Sequence, residues 1–209
     1  MMSKNRKRHS QKAIKEAFCS LLCEKPIDKI FVKEICEQAD YSTMAFYASY
    51  EDKYDLARKI VVDEALLYVA GSVETADPSG YFGKELTPTL VKTAASFYNH
   101  VKADRQIYEC IFSNRLLDNG ITYFAHACVE PLRTSFKFEE NKDQSLNEYT
   151  NFFIEQTITT LLNAAKYWLE SDFNLSADAL AELYVKFKTG WLDSIKLNDS
   201  EDSVTISFV

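Results

Sequence analysis

Side chains able to do covalent chemistry are few in this chain, and they are scattered. There are five cysteines, Cys19, Cys23, Cys36, Cys110 and Cys128, and three histidines, with no CxxC pair. Cys19 and Cys23 are four apart and can share a helix face, but no histidine stands beside them to complete a metal set. No GxGxxG, P-loop, HExxH or GxSxG pattern occurs, so nothing builds a phosphate cradle, a zinc site or a nucleophile elbow. The expectation is a non-enzyme with no cofactor and no metal. Free thiols and a basic, non-apolar N-terminus, MMSKNRKRHS, point to a reducing cytoplasm. No stretch approaches the roughly 20 apolar residues of a membrane span.

The one grouping with a recognisable physical task is STMAFYASYEDKYDL, residues 42–56. Phe46 and Tyr50, four apart, can anchor one face of a short helix in a core. Ser42, Thr43, Ala45 and Ala48 then face outward, small enough to approach the edges of bases in a duplex groove, and Met44 is counted with them. Ser42 suits the N-cap. A reading helix needs just this combination: an apolar inner face that pins it and a compact outer face that enters the groove.

The elements that must position this stretch are legible in the apolar spacing. Ala13, Ile14, Ala17, Phe18, Leu21 and Leu22 form a helical stripe closed by Pro26. Val32, Ile35, Cys36 and Ala39 form a shorter one. Asp40 stands where the chain must turn sharply, and Asp tolerates the left-handed conformation. A third helix is expected over about 43–49, and a fourth begins from the Ser49-to-Asp52 start pattern and ends near Gly71. Thr87-Pro88 opens a fifth to about Lys102, Asp104 a sixth to about Phe112, and a seventh covers about 115–137. An eighth spans about 146–170, and Ser176 caps a ninth carrying Leu180, Leu183, Tyr184, Phe187, Trp191 and Ile195. Glycine and proline are low, five and four, which favours helices. The fold class is all-α with about nine helices: a basic flexible arm over 1–9, a three-helix helix-turn-helix domain over 10–55, a larger helical domain over 56–197 and an acidic tail over 198–209.

Charge divides along the same line. Residues 1–60 hold 12 Lys/Arg against 9 Asp/Glu, while the remainder holds 12 against 22. A basic head on an acidic body suggests that the two parts meet different partners.

The segment AIKEAFCSLLCEKPIDKIFVKEICEQADYSTMAFYASYEDKYDL resembles the DNA-binding domain of the TetR family of transcriptional regulators. Within that family it looks most like the branch with KxxFDKITVKEIC starts, including the dihydroxyacetone-kinase activator type. The resemblance covers about residues 10–60. It implies that Tyr47 contacts a phosphate from the recognition helix and that Lys53 contacts the backbone from the start of the fourth helix. It also implies that Ser42 caps the recognition helix, that Lys33 adds a phosphate contact, and that Arg6, Lys7 and Arg8 reach the adjacent groove or backbone. The chain departs from the family's pattern at four positions. Phe31 stands for the usual Thr, Asp40 for the turn Gly, and Thr43 and Ala48 for common basic residues. No Arg, Lys, Asn or Gln lies between Ser42 and Tyr50, so DNA recognition should be weak or unusual.

Further expectations follow from the resemblance. The chain should form a homodimer on palindromic double-stranded DNA through Thr157, Thr160, Leu161, Ala164, Trp168, Leu183, Phe187 and Trp191. A small-molecule effector should bind in the body among Phe97, Tyr98, Tyr108, Phe112, Tyr123, His126 and Phe152, and alter DNA affinity by tilting the fourth helix. The alternative is a co-regulator of the same fold that has reduced DNA reading and acts through a protein partner.

Overall fold

Helix α1 (Lys4–Glu24) buries Ile14, Phe18, Cys19 and Leu22 on one face, which is the stripe read from the sequence. In this computed structural model, which describes residues 4–75, 86–135 and 144–193, the helix starts at Lys4. The expected flexible arm therefore does not hold over residues 4–9. The apolar stripe begins only at Ala13, but the preceding polar residues are good helix formers and continue the same hydrogen-bond ladder upstream. Pro26 ends α1 and caps a single 3₁₀ turn, Ile27–Lys29. Helices α2 (Val32–Gln38), α3 (Thr43–Tyr47) and α4 (Lys53–Thr75) follow. Asp40, with φ of 57°, makes the turn between α2 and α3 as expected.

The α4 start differs from the expected cap by one turn. Asp52 accepts a 2.7 Å hydrogen bond from the Asp55 amide, so Asp52 rather than Ser49 is the N-cap. Asp55 in turn accepts a 2.9 Å bond from the Glu51 amide. This paired arrangement satisfies two amides that a helix start otherwise leaves free.

The body comprises α5 (Leu86–Ala103), α6 (Arg105–Phe112), α7 (Gly120–Ser135), α8 (Gln144–Glu170) and α9 (Ala177–Asp193). No strand occurs among the described residues. Helix α7 starts later than expected because residues 113–119 form turns with Asn114 and Asn119 in the left-handed region. Its first residue, Gly120, lies against the end of α6: a Cβ there would stand 2.6 Å from the Ile111 carbonyl oxygen. Ser176 caps α9, accepting from the Ala179 amide at 3.1 Å. The acidic tail 198–209 and the side chains of Arg6, Lys7, Arg8 and Trp191 lie outside the described residues.

Helix α1 packs on α2, α3 and α6, α4 runs along α7 and α5, α5 along α9, and α7 along α8. Helix α4 is thus shared: Lys53 and Lys59 in its first turns bond to the Asp28, Ile30 and Ser49 carbonyls of the head, and its later turns run along α5 and α7. The body core is aromatic. Phe97 lies 5.8 Å from Tyr98, 5.9 Å from Tyr108 and 6.3 Å from Phe124, ring centre to ring centre.

Candidate nucleic-acid interface

Helix α3 is held by three devices. Ser42, extended at φ −75° and ψ 153°, accepts a hydrogen bond from the Ala45 amide at 3.3 Å. The Tyr41 amide donates to the Cys36 carbonyl at 2.9 Å and closes the turn. Phe46 is fully buried and Tyr50 nearly so, their rings 5.3 Å apart, so the inner face is pinned as the spacing predicts. Lys59 places its ammonium 5.6 Å from the centre of the Tyr50 ring and donates to the Ser49 carbonyl.

Outward, the helix presents Thr43, Met44, Tyr47 and Ala48, with Met44 81 % and Tyr47 59 % exposed. Ala45 is half-buried and lies toward the edge of this face. Phe31, at the N-cap of α2, is 68 % exposed. Its own amide donates to Glu34 at 2.8 Å, and Glu34 is held in turn by Lys25 at 2.6 Å. That lysine, with the Phe31 amide, keeps the Glu34 carboxyl below its usual range. The head therefore shows an apolar outer face where basic residues were absent from the sequence.

The two lysines implied as phosphate contacts differ in freedom. Lys53 donates to the Ile30 carbonyl at 2.9 Å and the Asp28 carbonyl at 3.2 Å, fastening the start of α4 to the loop before α2. Tyr54 adds a 2.7 Å bond to Asp28. Lys33 has only an exposed, 3.6 Å pair with Glu37, which is worth little and is readily exchanged.

In the body the seven residues expected to line a pocket do not converge. Tyr98, Tyr108 and Phe112 are core, whereas Tyr123, His126 and Phe152 are exposed. His126 pairs with Glu155 at 3.0 Å on the surface. Of the seven, only Phe97 borders the cavity between α4 and α5, about 190 Å³, along with Leu67, Tyr68, Gly71, Ser72, Thr93, Ser96 and His100. Sequence reasoning missed His100. Standing four residues after Ser96, itself three after Thr93, it completes a readable polar stripe on α5. What it does was not readable, because its partner is Glu64, buried on α4, at 2.8 Å. That hydrogen bond raises the His100 pKa above its ordinary value, burial opposes it, and Asp104 adds to the rise. Glu64 and Asp104 also border a second cleft, against Gln11, Lys12, Lys15 and Glu16 of α1. Among the described residues, the buried hydroxyl of Tyr98 has no hydrogen-bond partner, while that of Tyr108 lies toward the Glu64 carboxyl.

The expected dimer residues divide as well. Leu161 and Trp168 are each 2 % exposed and belong to the protomer's own core, where the Trp168 indole donates to the Leu175 carbonyl at 3.0 Å. On a helix of 3.6 residues per turn the five expected α8 positions span an arc of about 100°, with Leu161 and Trp168 at its buried edge. Thr157, Thr160 and Ala164 are half-buried, and Thr157 accepts from Tyr184 and Lys188 of α9 in the same protomer. Leu183 and Phe187 are exposed, as are Tyr149, Phe153 and Tyr167 along α8.

No protein-family model matches the chain, and no curated protein matches it. Among solved structures, it is similar to the TetR family repressor AlkX from Dietzia sp. strain DQ12-45-1b, implicated in biodegradation of n-alkanes. The TM-score is 0.51 at 10 % identity, covering 88 % of this chain and 95 % of that one. The fold is TetR-like: nine helices among the described residues, a helix-turn-helix head and a larger helical body, as the sequence resemblance implied. Among the described residues no helix is long and apolar enough to cross a membrane.

Proposed function

We propose that this chain is a cytoplasmic, non-enzymatic transcriptional regulator that binds a palindromic DNA operator as a homodimer and responds to a small molecule. The observation that carries the reading is α3: capped by Ser42, pinned by Phe46 and Tyr50, its outer face free, and mounted on a helix that continues into the body. The head corresponds to residues 10–55 together with the helical turns before them, and the body to 56–197. Lys33, Tyr47 and the Arg6–Arg8 cluster supply backbone contacts. Lys53 acts mainly by holding the head's shape. Dimerisation uses the outer faces of α8 and α9, where exposed aromatic and aliphatic side chains would be covered by a second copy.

The effector site is the cavity between α4 and α5. Its volume suits a small molecule, below the 300–1,000 Å³ of drug-sized sites. A ligand touching His100 would act on Glu64 and so on α4, the helix that carries the head. That gives it differential contact with two tilts of α4, the condition for any allosteric effect.

The test incubates purified protein with a randomised duplex pool at low salt and sequences the retained fraction. An enriched palindrome supports the reading, and its affinity should fall steeply with salt. A second reading is a co-regulator that uses the same head on a protein. The exposed Phe31, Met44 and Tyr47 favour it. It predicts no duplex retention and a stable complex with a partner protein.

A further inference from the structure

A base edge in the major groove is read in two ways: by hydrogen bonds, or by apolar contact with the C5-methyl of thymine. The outer face of α3 is poorly equipped for the first. Of its exposed side chains only Thr43 and Tyr47 carry a polar group, each a single hydroxyl, and the Ser42 hydroxyl is already engaged with the Ala45 amide. No side chain there can make the bidentate contacts that read guanine or adenine. The second mode is well supplied. Met44 extends outward at 81 % exposure, and Ala48 follows four residues later with helical backbone, φ −69° and ψ −13°. A thioether side chain adapts its shape to what it meets.

We infer that, on the DNA-binding reading above, the head recognises its half-site by thymine methyl groups, with Met44 and Ala48 as the specificity-determining residues. Four residues of helix separate their Cα atoms by about 6 Å along the axis. Base pairs are stacked about 3.4 Å apart, so the two side chains address thymines one to two steps apart. The surroundings sharpen this dependence. Glu37, Asp40, Glu51 and Asp52 are exposed around the head, and Lys53 is engaged with carbonyls. Backbone contacts fix position without reading sequence, so the methyl contacts carry a large share of the discrimination.

The experiment selects from two randomised duplex pools in parallel, one prepared with thymine and one with uracil, which differs only by the missing methyl. The expected result is a thymine-containing palindrome from the first pool. The same duplex remade with uracil should bind about fourfold more weakly per contacted methyl, the effect of exposing one methylene-sized group. Two such contacts in each half-site make that more than tenfold per head. Met44→Ala, at an exposed position, should melt like the parent and lose part of the thymine-to-uracil ratio. Equal affinity for the thymine and uracil duplexes overturns the methyl reading and leaves DNA binding intact. Retention of no duplex from either pool overturns both.

Discussion

The Glu64–His100 pair ties α4 to α5, and its removal has a calculable cost. Glu64 has a side chain only 5 % exposed, and His100 has one 31 % exposed, at 2.8 Å. His100→Ala leaves the buried carboxylate in place without its hydrogen-bond partner. Breaking a buried pair by removing one member costs about 3–5 kcal/mol. The cavity beside His100 admits water, so the lower end, about 3 kcal/mol, applies. For a chain of this size that lowers the melting temperature by roughly 6–12 °C.

The pH dependence carries a sign. The folded state raises the His100 pKa above 6.5, chiefly through the Glu64 hydrogen bond. Protonation therefore stabilises the fold fully below the unfolded value, and that contribution is lost as pH rises through the raised folded value. The groups around the imidazole are Glu64 on α4, Asp104 at the start of α6 and the buried Tyr108 hydroxyl on α6, with Lys12, Lys15 and Glu16 of α1 across the adjoining cleft. Thermal unfolding by circular dichroism at pH 6 and pH 8.5 should show the parent falling between the two and His100→Ala falling less. Adding Glu64→Gln to His100→Ala should recover much of the loss, since the neutral amide removes the unpaired charge. An unchanged pH dependence in His100→Ala, together with no recovery in the double variant, would refute the argument.

Three further outcomes are expected. Gly120→Ala pushes a methyl to 2.6 Å from the Ile111 carbonyl oxygen, and should cost about 1–3 kcal/mol, measured by chemical denaturation. Ser42→Ala removes the α3 cap and should cost about 1 kcal/mol in the same assay. Its effect on duplex binding should exceed that, because the helix loses its alignment as well as its stability. Phe187→Asp and Leu183→Asp, both at exposed positions of α9, should leave the melting of the protomer fold nearly unchanged while moving the sedimentation equilibrium toward monomer. A dimer of undiminished strength in both variants would place the interface elsewhere.

Much of the head is written in short-range signals along the chain. They are a stripe at helical spacing, a proline stop, an aspartate at the left-handed turn and a serine ahead of a short aromatic helix. Each is set by the backbone preferences and burial needs of neighbouring residues, so sequence alone determined that Phe46 and Tyr50 go in and Ser42, Thr43 and Ala48 go out, while Ala45, expected outward, is half-buried. The body obeyed the same rule for helix existence but not for role. Whether Leu161 and Trp168 meet a second copy or their own core depends on how α8 rotates against α7, and no spacing within one helix encodes that. Whether Lys53 reaches a phosphate depends on the Asp28 and Ile30 carbonyls, more than twenty residues away. The Glu64–His100 pair joins positions 36 apart on separate helices. Such assignments are decided only by tertiary packing, because burial, pairing and proton affinity belong to the space between elements rather than to the elements.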